Sequence, residues 1–477
     1  MTKSFKAHPL MILKFIRPNL VAFILPIAEG VIQYLTKRNF KGVVGFSVAV
    51  LIFVLAAAVL TRHSYKLIFD FESRILTVEY GFFLKRFTKI DIRKLSSVQS
   101  TQNPLDYIFG AVTFKINTEA GGFNNTDFWF KLSVKDSKEV SDRLYKSPKP
   151  QTERYSAGKV AALSLATSSA LTGTVVAVPI INRAASLFGG GVKNMQFYNL
   201  HNLWGKFNNY FPPVINTVTV IILAAYFISF VFSFFKNVKF KLLTGEKNLE
   251  VISGLVVKTR TSFRKSAINN IKTEQTLLMH LLRRYALKVS VGGYGDSKSE
   301  SEIIVPLGTK KEISQKLAKY FPFIIADGDR IRPKRGYLTK SRFLFMPAVW
   351  WLAVLAVSVV SALLFKEFAE FIIFLTVVAC GYILCTAYIG LFEYNRSQIS
   401  FGDSIFAKSG KGLRTYELYC PKENIGEIRI TRFIPDRRHK TCRVRIFVRS
   451  EHADNIMVRN LDYEAVKNSI YKCFNIE

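Results

Sequence analysis

Residues 95–102 read LSSVQSTQ and residues 268–275 read INNIKTEQ. Offsetting residues 81–116 by 173 places Gly81 on Gly254, Leu95 on Ile268, Val98 on Ile271, Gln102 on Gln275, Leu105 on Leu278, Lys115 on Lys288 and Ile116 on Val289, without a gap. An offset of 330 pairs Leu95, Val98, Phe114 and Ile116 with Ile425, Ile428, Val444 and Ile446, a third and more diverged copy. A chain carrying one long unit three times folds as a tandem of duplicated domains; solenoid units are roughly 20–50 residues.

Inside each copy the period is that of half-buried strands, as in Tyr65–Asp70 and Arg443–Arg449, with Glu72-Ser73-Arg74 as a tight connection. Each copy ends on a helical pattern, Asp136–Lys146, Thr309–Tyr320 and Asn460–Phe474, with Thr309 and Asn460 as N-cap candidates. These apolar stripes are expected to plug the end of a strongly bent sheet.

Ahead of each copy lie apolar stretches, and these absorb much of a composition that is 49% hydrophobic despite a net charge of +33. Six of them, at 19–35, 43–60, 160–182, 213–235, 343–365 and 368–391, approach the ~20 residues a helix needs to cross about 30 Å of hydrocarbon. They pair into three hairpins. The expected organisation is therefore hairpin 1 at 1–61, domain 1 at 62–150, hairpin 2 at 158–236 with an external loop at 183–212, domain 2 at 237–325, hairpin 3 at 340–392 and domain 3 at 393–477. Lys3, Lys6, Lys14, Arg17, Arg62, Lys66, Lys236, Lys239, Lys241, Arg330, Arg332, Lys334, Arg335, Lys340 and Arg342 flank the stretches on one side. By the positive-inside rule that side, holding both termini and all three domains, is the cytoplasm. The first apolar segment lacks a small-residue cleavage site and runs into a second, so no cleavable signal peptide is expected. Five scattered Cys suggest neither a metal site nor a disulfide framework.

The Gly-led hairpin, the L/I-x-x-V/I-x-x-x-Q element, the apolar clusters Tyr107-Ile108-Phe109-Gly110 and Leu281-Leu282, and the turns Gly121-Gly122 and Gly292-Gly293 together resemble bacterial pleckstrin-homology (PH)-like domains. The three-copy layout is similar to the YdbT-like membrane proteins of bacteria. In the third copy Arg432 replaces the Gln and Ser450-Glu451 stands near the expected glycines. The resemblance implies a small β-sandwich or barrel with a C-terminal capping helix. The expected fold class is thus six transmembrane helices in three hairpins, each followed by such a domain, in a bacterial plasma membrane.

Residues 236–342 hold 23 Lys plus Arg against 9 Asp plus Glu. Lys236, Lys239, Lys241, Arg260, Arg264 and Lys265 are lipid-headgroup candidates, since each juxtamembrane cation contributes about 1 kcal/mol near an anionic surface; the plainer reading is a topology signal and a solvated face. Arg429, Arg432, Arg437 and Arg438 are candidates for a phosphate or an acidic partner, against the same plain alternative. The first hairpin loop, Phe71-Glu72-Ser73-Arg74, is too short and acidic for a phosphoinositide pocket.

Glu29, Ser168, Ser169 and Thr172 are polar within expected spans. Small hydroxyl residues suit close helix packing or a polar groove, and an intramembrane acid is a functional candidate. Met195, Tyr198, Leu203, Trp204, Phe207 and Tyr210 make an amphipathic external stretch suited to the outer headgroup region or to a hydrophobic ligand. Phosphate-loop, zinc-protease and nucleophile-elbow patterns are absent, and basic residues beside apolar spans without a recognition motif argue against nucleic acid.

The expectation is a non-enzymatic membrane scaffold without a cofactor. Its PH-like domains would bind phospholipid, a homologous single-repeat membrane protein or one another, with defence against membrane-active peptides as one role. The alternative is a lipid or peptide transporter working through the bundle.

Overall fold

In the first repeat, alternating apolar and polar residues make short strands with one buried face. β1 (Thr2–Lys6), β2 (Lys66–Asp70), β3 (Ile75–Tyr80) and β4 (Arg86–Asp91) form an antiparallel sheet in that order. The β2–β3 connection is as tight as the sequence suggests. The Asp70 carboxylate accepts the Glu72 amide at 3.2 Å and the Ser73 hydroxyl at 2.7 Å, and Arg74 takes φ 56°, which is Asx-turn chemistry. β5 (Leu95–Gln102), α1 (Pro104–Ile108), β6 (Ala111–Thr118), β7 (Phe128–Ser133) and α2 (Val134–Tyr145) complete the repeat. Phe69 and Leu76 from the first sheet meet Val98, Phe114 and Leu132 from the second, and Val140 of α2 joins the same core. Each such side chain contributes about 1.5–3 kcal/mol on burial.

The computed structural model describes residues 2–11, 65–70, 72–80, 85–118, 128–145, 151–168, 213–291, 302–322, 328–334, 337–366, 369–411, 413–433, 439–449 and 455–475, with isolated positions between them. The chain divides into two compact units. One comprises Met1–Glu153, Lys241–Ala267 and Val291–Glu300; the other comprises Arg154–Phe240, Ile268–Ser290 and Ser301–Glu477.

In the first unit, β8 (Gln151–Arg154), β9 (Lys241–Thr244), β10 (Asn248–Ser253) and β11 (Lys258–Arg264) enlarge the second sheet to seven strands, ordered β7-β6-β5-β11-β10-β9-β8. The first strands of the middle repeat thus pair edge to edge with the first repeat.

The second unit contains α3 (Ala157–Thr167), α4 (Pro213–Asn237), β12 (Ile268–Thr276), α5 (Leu277–Leu281), β13 (Tyr285–Val291), β14 (Glu302–Gly308) and α6 (Lys310–Tyr320). After them come α7 (Tyr337–Leu364), α8 (Ala369–Arg396), β15 (Gln398–Ser400), β16 (Ser404–Lys411), β17 (Arg414–Pro421), β18 (Ile425–Thr431), β19 (Thr441–Val448), β20 (Asn455–Asp462) and α9 (Tyr463–Phe474). Its sheets run β14-β13-β12-β17-β16-β15 and β18-β19-β20. Val444, Ile446 and Val458 bury against Ile405 and Leu418, with Val466 and Ile470 of α9 closing the core.

Both junctions use one register. Gln102 stands opposite Lys258 and Gln275 opposite Thr415, and Lys258 and Thr415 both align with Lys85 of the first repeat.

The expectation of six membrane spans is corrected. Among the described residues two helical segments are long and apolar enough to cross a membrane, Pro347–Leu364 with mean hydropathy 2.1 and Leu375–Arg396 with 2.0. The expected spans at 19–35 and 43–60 lie almost wholly outside the described residues. The expected span at 160–182 begins as α3 but that helix stops at Thr167. Eleven residues rise only about 16 Å. The Thr167 hydroxyl bonds back to the Leu163 carbonyl at 2.9 Å, the Ser168 hydroxyl to that of Ser164, and Ser168 turns extended with ψ 147°. Hydroxyl back-bonding competes with helix propagation, which a hydropathy sum does not register. The stretch at 213–235 is helical within α4, although the side chains of 213–223 lie outside the description. The third capping helix also begins later than expected. Asp462, not Asn460, is its N-cap, accepting the Glu464 and Ala465 amides at 3.0 and 3.1 Å. Thr309 caps α6 as expected, in a capping box with Glu312.

A buried ion-pair network crosses the second junction. Glu274 of β12 contacts the Lys288 ammonium of β13 and the Arg414 guanidinium of β17, the latter at 2.8 Å, with its own side chain 6% exposed. Burial pushes its carboxyl up, but Lys288 and Arg414 outweigh this and hold it below the ordinary carboxylate value. A carboxyl depressed in the folded state stabilises the fold fully above its unfolded value, about 4.3, and that stability is lost as pH falls through the folded value. Acid unfolding of the detergent-solubilised protein should therefore begin in that window, and Glu274→Gln should flatten the dependence while lowering stability at neutral pH, as read by fluorescence melts across pH.

The segment before α7 straps onto the last repeat. Ile331 and Ile399 exchange backbone hydrogen bonds at 2.8 and 2.9 Å, and the Lys334 amide donates to the Asn460 carbonyl at 3.0 Å. A Cβ on Gly328 would lie 2.1 Å from the Phe401 carbonyl oxygen. Backbone cannot yield as a flexible side chain does, so Gly328→Ala should cost about 1–3 kcal/mol by overpacking, seen as a lowered melting temperature.

Candidate headgroup cleft and apolar tips

The repeated Gln has the same task in both well-matched copies. Gln102 Nε2 donates to the Ala111 carbonyl at 3.3 Å, and Gln275 Nε2 to the Arg284 carbonyl at 2.8 Å. These carbonyls align at the offset of 173. Each bond spans a short helix, α1 or α5, that projects from between two strands. Each excursion closes on a left-handed residue, Gly110 at φ 65° and Arg283 at φ 51°. Glycine adopts this region without penalty, whereas a side chain there costs roughly 1–2 kcal/mol.

The projections expose apolar side chains. Leu105, Tyr107, Ile108 and Phe109 form one tip; Leu281, 80% exposed, and Leu282 form the aligned one. Lys258 lies over the Tyr107 ring at 5.1 Å. In the third repeat Arg432 replaces the Gln and instead sits over the Tyr463 ring at 4.0 Å.

Beside the second tip is a cleft of about 850 Å³ lined by Arg283, Lys310 and Arg396, with no carboxylate among the described residues that line it. Tyr388 and Phe392 of α8 form one wall and hold His280 edge-on, with ring centroids 5.9 and 4.6 Å away. Burial, assisted by Arg396 and Lys408, lowers the His280 pKa, so its imidazole is neutral at neutral pH. Its Nε2 is buried without a hydrogen-bond partner. Three cations around an open cleft, with a polar nitrogen inside, suit an anionic group.

None of these cations was among the candidates read from sequence. Arg283, Lys310 and Arg396 are far apart in the chain, and the one local signal was the apolar Leu281-Leu282 pair. Of the lipid-headgroup candidates, Lys236 is exposed in the last turn of α4, Lys239 is exposed just beyond its end, and Lys241 is partly buried in β9. Arg260 is held by Glu250 and by Asp142 at 3.2 Å. Arg264 donates to the Ile92 carbonyl at 2.8 Å and to that of Arg93, and burial lowers the Lys265 pKa. Arg429 pairs with Glu427 at 2.9 Å. Ser168 ends α3. Arg437, Arg438, Glu29, Ser169, Thr172 and the aromatic stretch from Met195 to Tyr210 lie outside the described residues. No cluster of His, Cys, Asp and Glu fit for a metal occurs among the described residues.

The family model for the bacterial PH domain matches residues 19–147 and 197–321. The chain is also similar to the UPF0699 transmembrane protein YdbT of Bacillus subtilis, 20% identical over 389 residues that cover 73% of this chain and 75% of that protein. No solved structure matches it significantly. With more than half of its length matched, in two successive regions, the chain belongs to the bacterial PH domain family.

Proposed function

We propose that this protein is a membrane-anchored scaffold whose second PH module docks an anionic phospholipid headgroup in the cleft beside Leu281. The observation that carries this reading is the convergence of Arg283, Lys310 and Arg396, without a carboxylate among the described lining residues, at the end of α8. The α7–α8 pair supports it. None of the apolar window of α7 and 11% of that of α8 is buried within the protein, so neither is the core helix of a water-soluble domain, and bare apolar helices of this length call for lipid around them. The similar Bacillus protein carries a transmembrane description. Lys340 and Arg342 before the first apolar window and Arg396 at the end of the second favour a cytoplasmic side for the modules by the positive-inside rule.

In this arrangement Leu281 and Leu282 enter the acyl boundary while the cations meet the phosphate. A left-handed arginine where the first repeat has glycine fits a side chain retained for its charge despite its backbone cost.

The test is binding of phosphatidylglycerol against phosphatidylcholine to the full-length detergent-solubilised protein, read by native mass spectrometry. With about 1 kcal/mol per cation, Arg283→Glu, Lys310→Glu and Arg396→Glu together should lower affinity for phosphatidylglycerol at least ~100-fold. The preference should also fade with added salt. Equal binding of both lipids by the parent protein, or an unchanged preference in the variant, overturns the reading.

A further inference from the structure

The internal junctions are a template for a contact that the chain leaves open at both ends. At each junction the first strand of a module's second sheet, β5 or β12, pairs antiparallel with the last strand of the next module's first sheet, β11 or β17, in one shared register. β4 is the strand equivalent to β11 and β17, and β18 is equivalent to β5 and β12. Among the described residues β4 pairs with β3 alone and β18 with β19 alone. One strand of each complementary type is left over.

Their exposure agrees. Ser97 and Asn270 are fully buried in the junctions at 0%, whereas the aligned Glu427 is 49% exposed at its side chain. Phe87 of β4 is 59% exposed. An open strand edge offers unpaired amides and carbonyls to any matching edge.

We infer that β18 of one copy pairs antiparallel with β4 of a second copy of this chain, in the junction register. That register sets Ile430 opposite Phe87, Arg429 opposite Thr88 and Ile428 opposite Lys89. The Ile430 and Phe87 pair removes the exposed aromatic from water, a favourable cross-strand combination. Because the two edges differ, the contact is heterologous and propagates head to tail, closing into a ring when the rotation permits. The occupant is a second copy because the chain uses this pairing twice within itself. The inference does not rest on the lipid cleft, and charge reversal there should leave it unchanged.

The experiment uses two full-length copies with different tags, co-expressed in membranes, one carrying Thr88→Cys and the other Arg429→Cys. Directly opposed residues in an antiparallel pair have Cα atoms about 4.5–5.5 Å apart, within disulfide reach. Mild oxidation should give a disulfide joining the two tags. Pairing Thr88→Cys with Ile430→Cys, which points to the other face, should give none. Phe87→Asp, at an exposed position that leaves the sandwich core intact, should abolish the cross-link; the two cysteine combinations decide the matter even if that variant misfolds. A parent protein that is monomeric at every concentration and forms no cross-link overturns the inference. So does a disulfide formed only within one copy carrying both cysteines, or stoichiometric occupation of β18 by a different PH-domain protein.

Discussion

Edge-to-edge strand pairing is the constraint on which this architecture depends. A small sandwich of two sheets exposes strand edges whose amides and carbonyls need partners. Here β11 completes the second sheet of the first repeat and β17 that of the middle repeat. The middle repeat therefore contributes strands to two different sheets, each finished by a neighbour. The described strands within 237–325 form no closed set of edges of their own, and cutting the chain between repeats would leave two junction strands bare. The contacts are also remote in sequence. Ser100 donates to the Arg260 carbonyl at 3.5 Å across 160 residues, a closure that favours slow, late assembly.

Polar residues at the junctions act as register marks. A one-residue slip would turn every side chain to the opposite face. At the second junction it would also separate Glu274 from Arg414 and leave a buried carboxylate with fewer cationic partners. Breaking such a pair costs more than the pair itself contributes. The first junction relies instead on Arg264, whose guanidinium reaches the Ile92 and Arg93 carbonyls. Equivalent junctions are thus locked by unrelated side chains, which explains why the copies retain strand pattern better than residue identity.

Local features were legible in the sequence and remote ones were not. The Leu95, Val98 and Gln102 spacing announced a repeated element because all three residues lie on one strand. The task of the Gln was hidden, since its partner is a main-chain carbonyl that any residue supplies. Thr309 was readable as a cap because Glu312 follows it. Asn460 misled because a second small polar residue, Asp462, lies two positions later and takes the role, leaving Asn460 at φ 57°. Hydropathy sums overstated the membrane helices, as the arrest of α3 at Thr167 shows. Arg260 and Arg264 stand in a run of cations along the chain, but the fold uses both internally. The cleft cations come from the turn after α5, from α6 and from α8, and no window of sequence contains them together.

The chemistry of the cleft follows from how its cationic side chains surround a buried imidazole. Arg283, Lys310 and Arg396 are exposed cationic side chains around the cleft. His280 differs, because desolvation and the nearby cations oppose its protonation. The positive charge lining the cleft therefore comes from these three side chains, while the imidazole is a neutral hydrogen-bonding group against an aromatic wall. A phosphate bound there would offset part of the positive field at His280 and so favour its protonation. By linkage, protonation would then strengthen phosphate binding by the same factor. Under the proposed reading the cations would supply the attraction, and the buried imidazole would respond to the anion they hold.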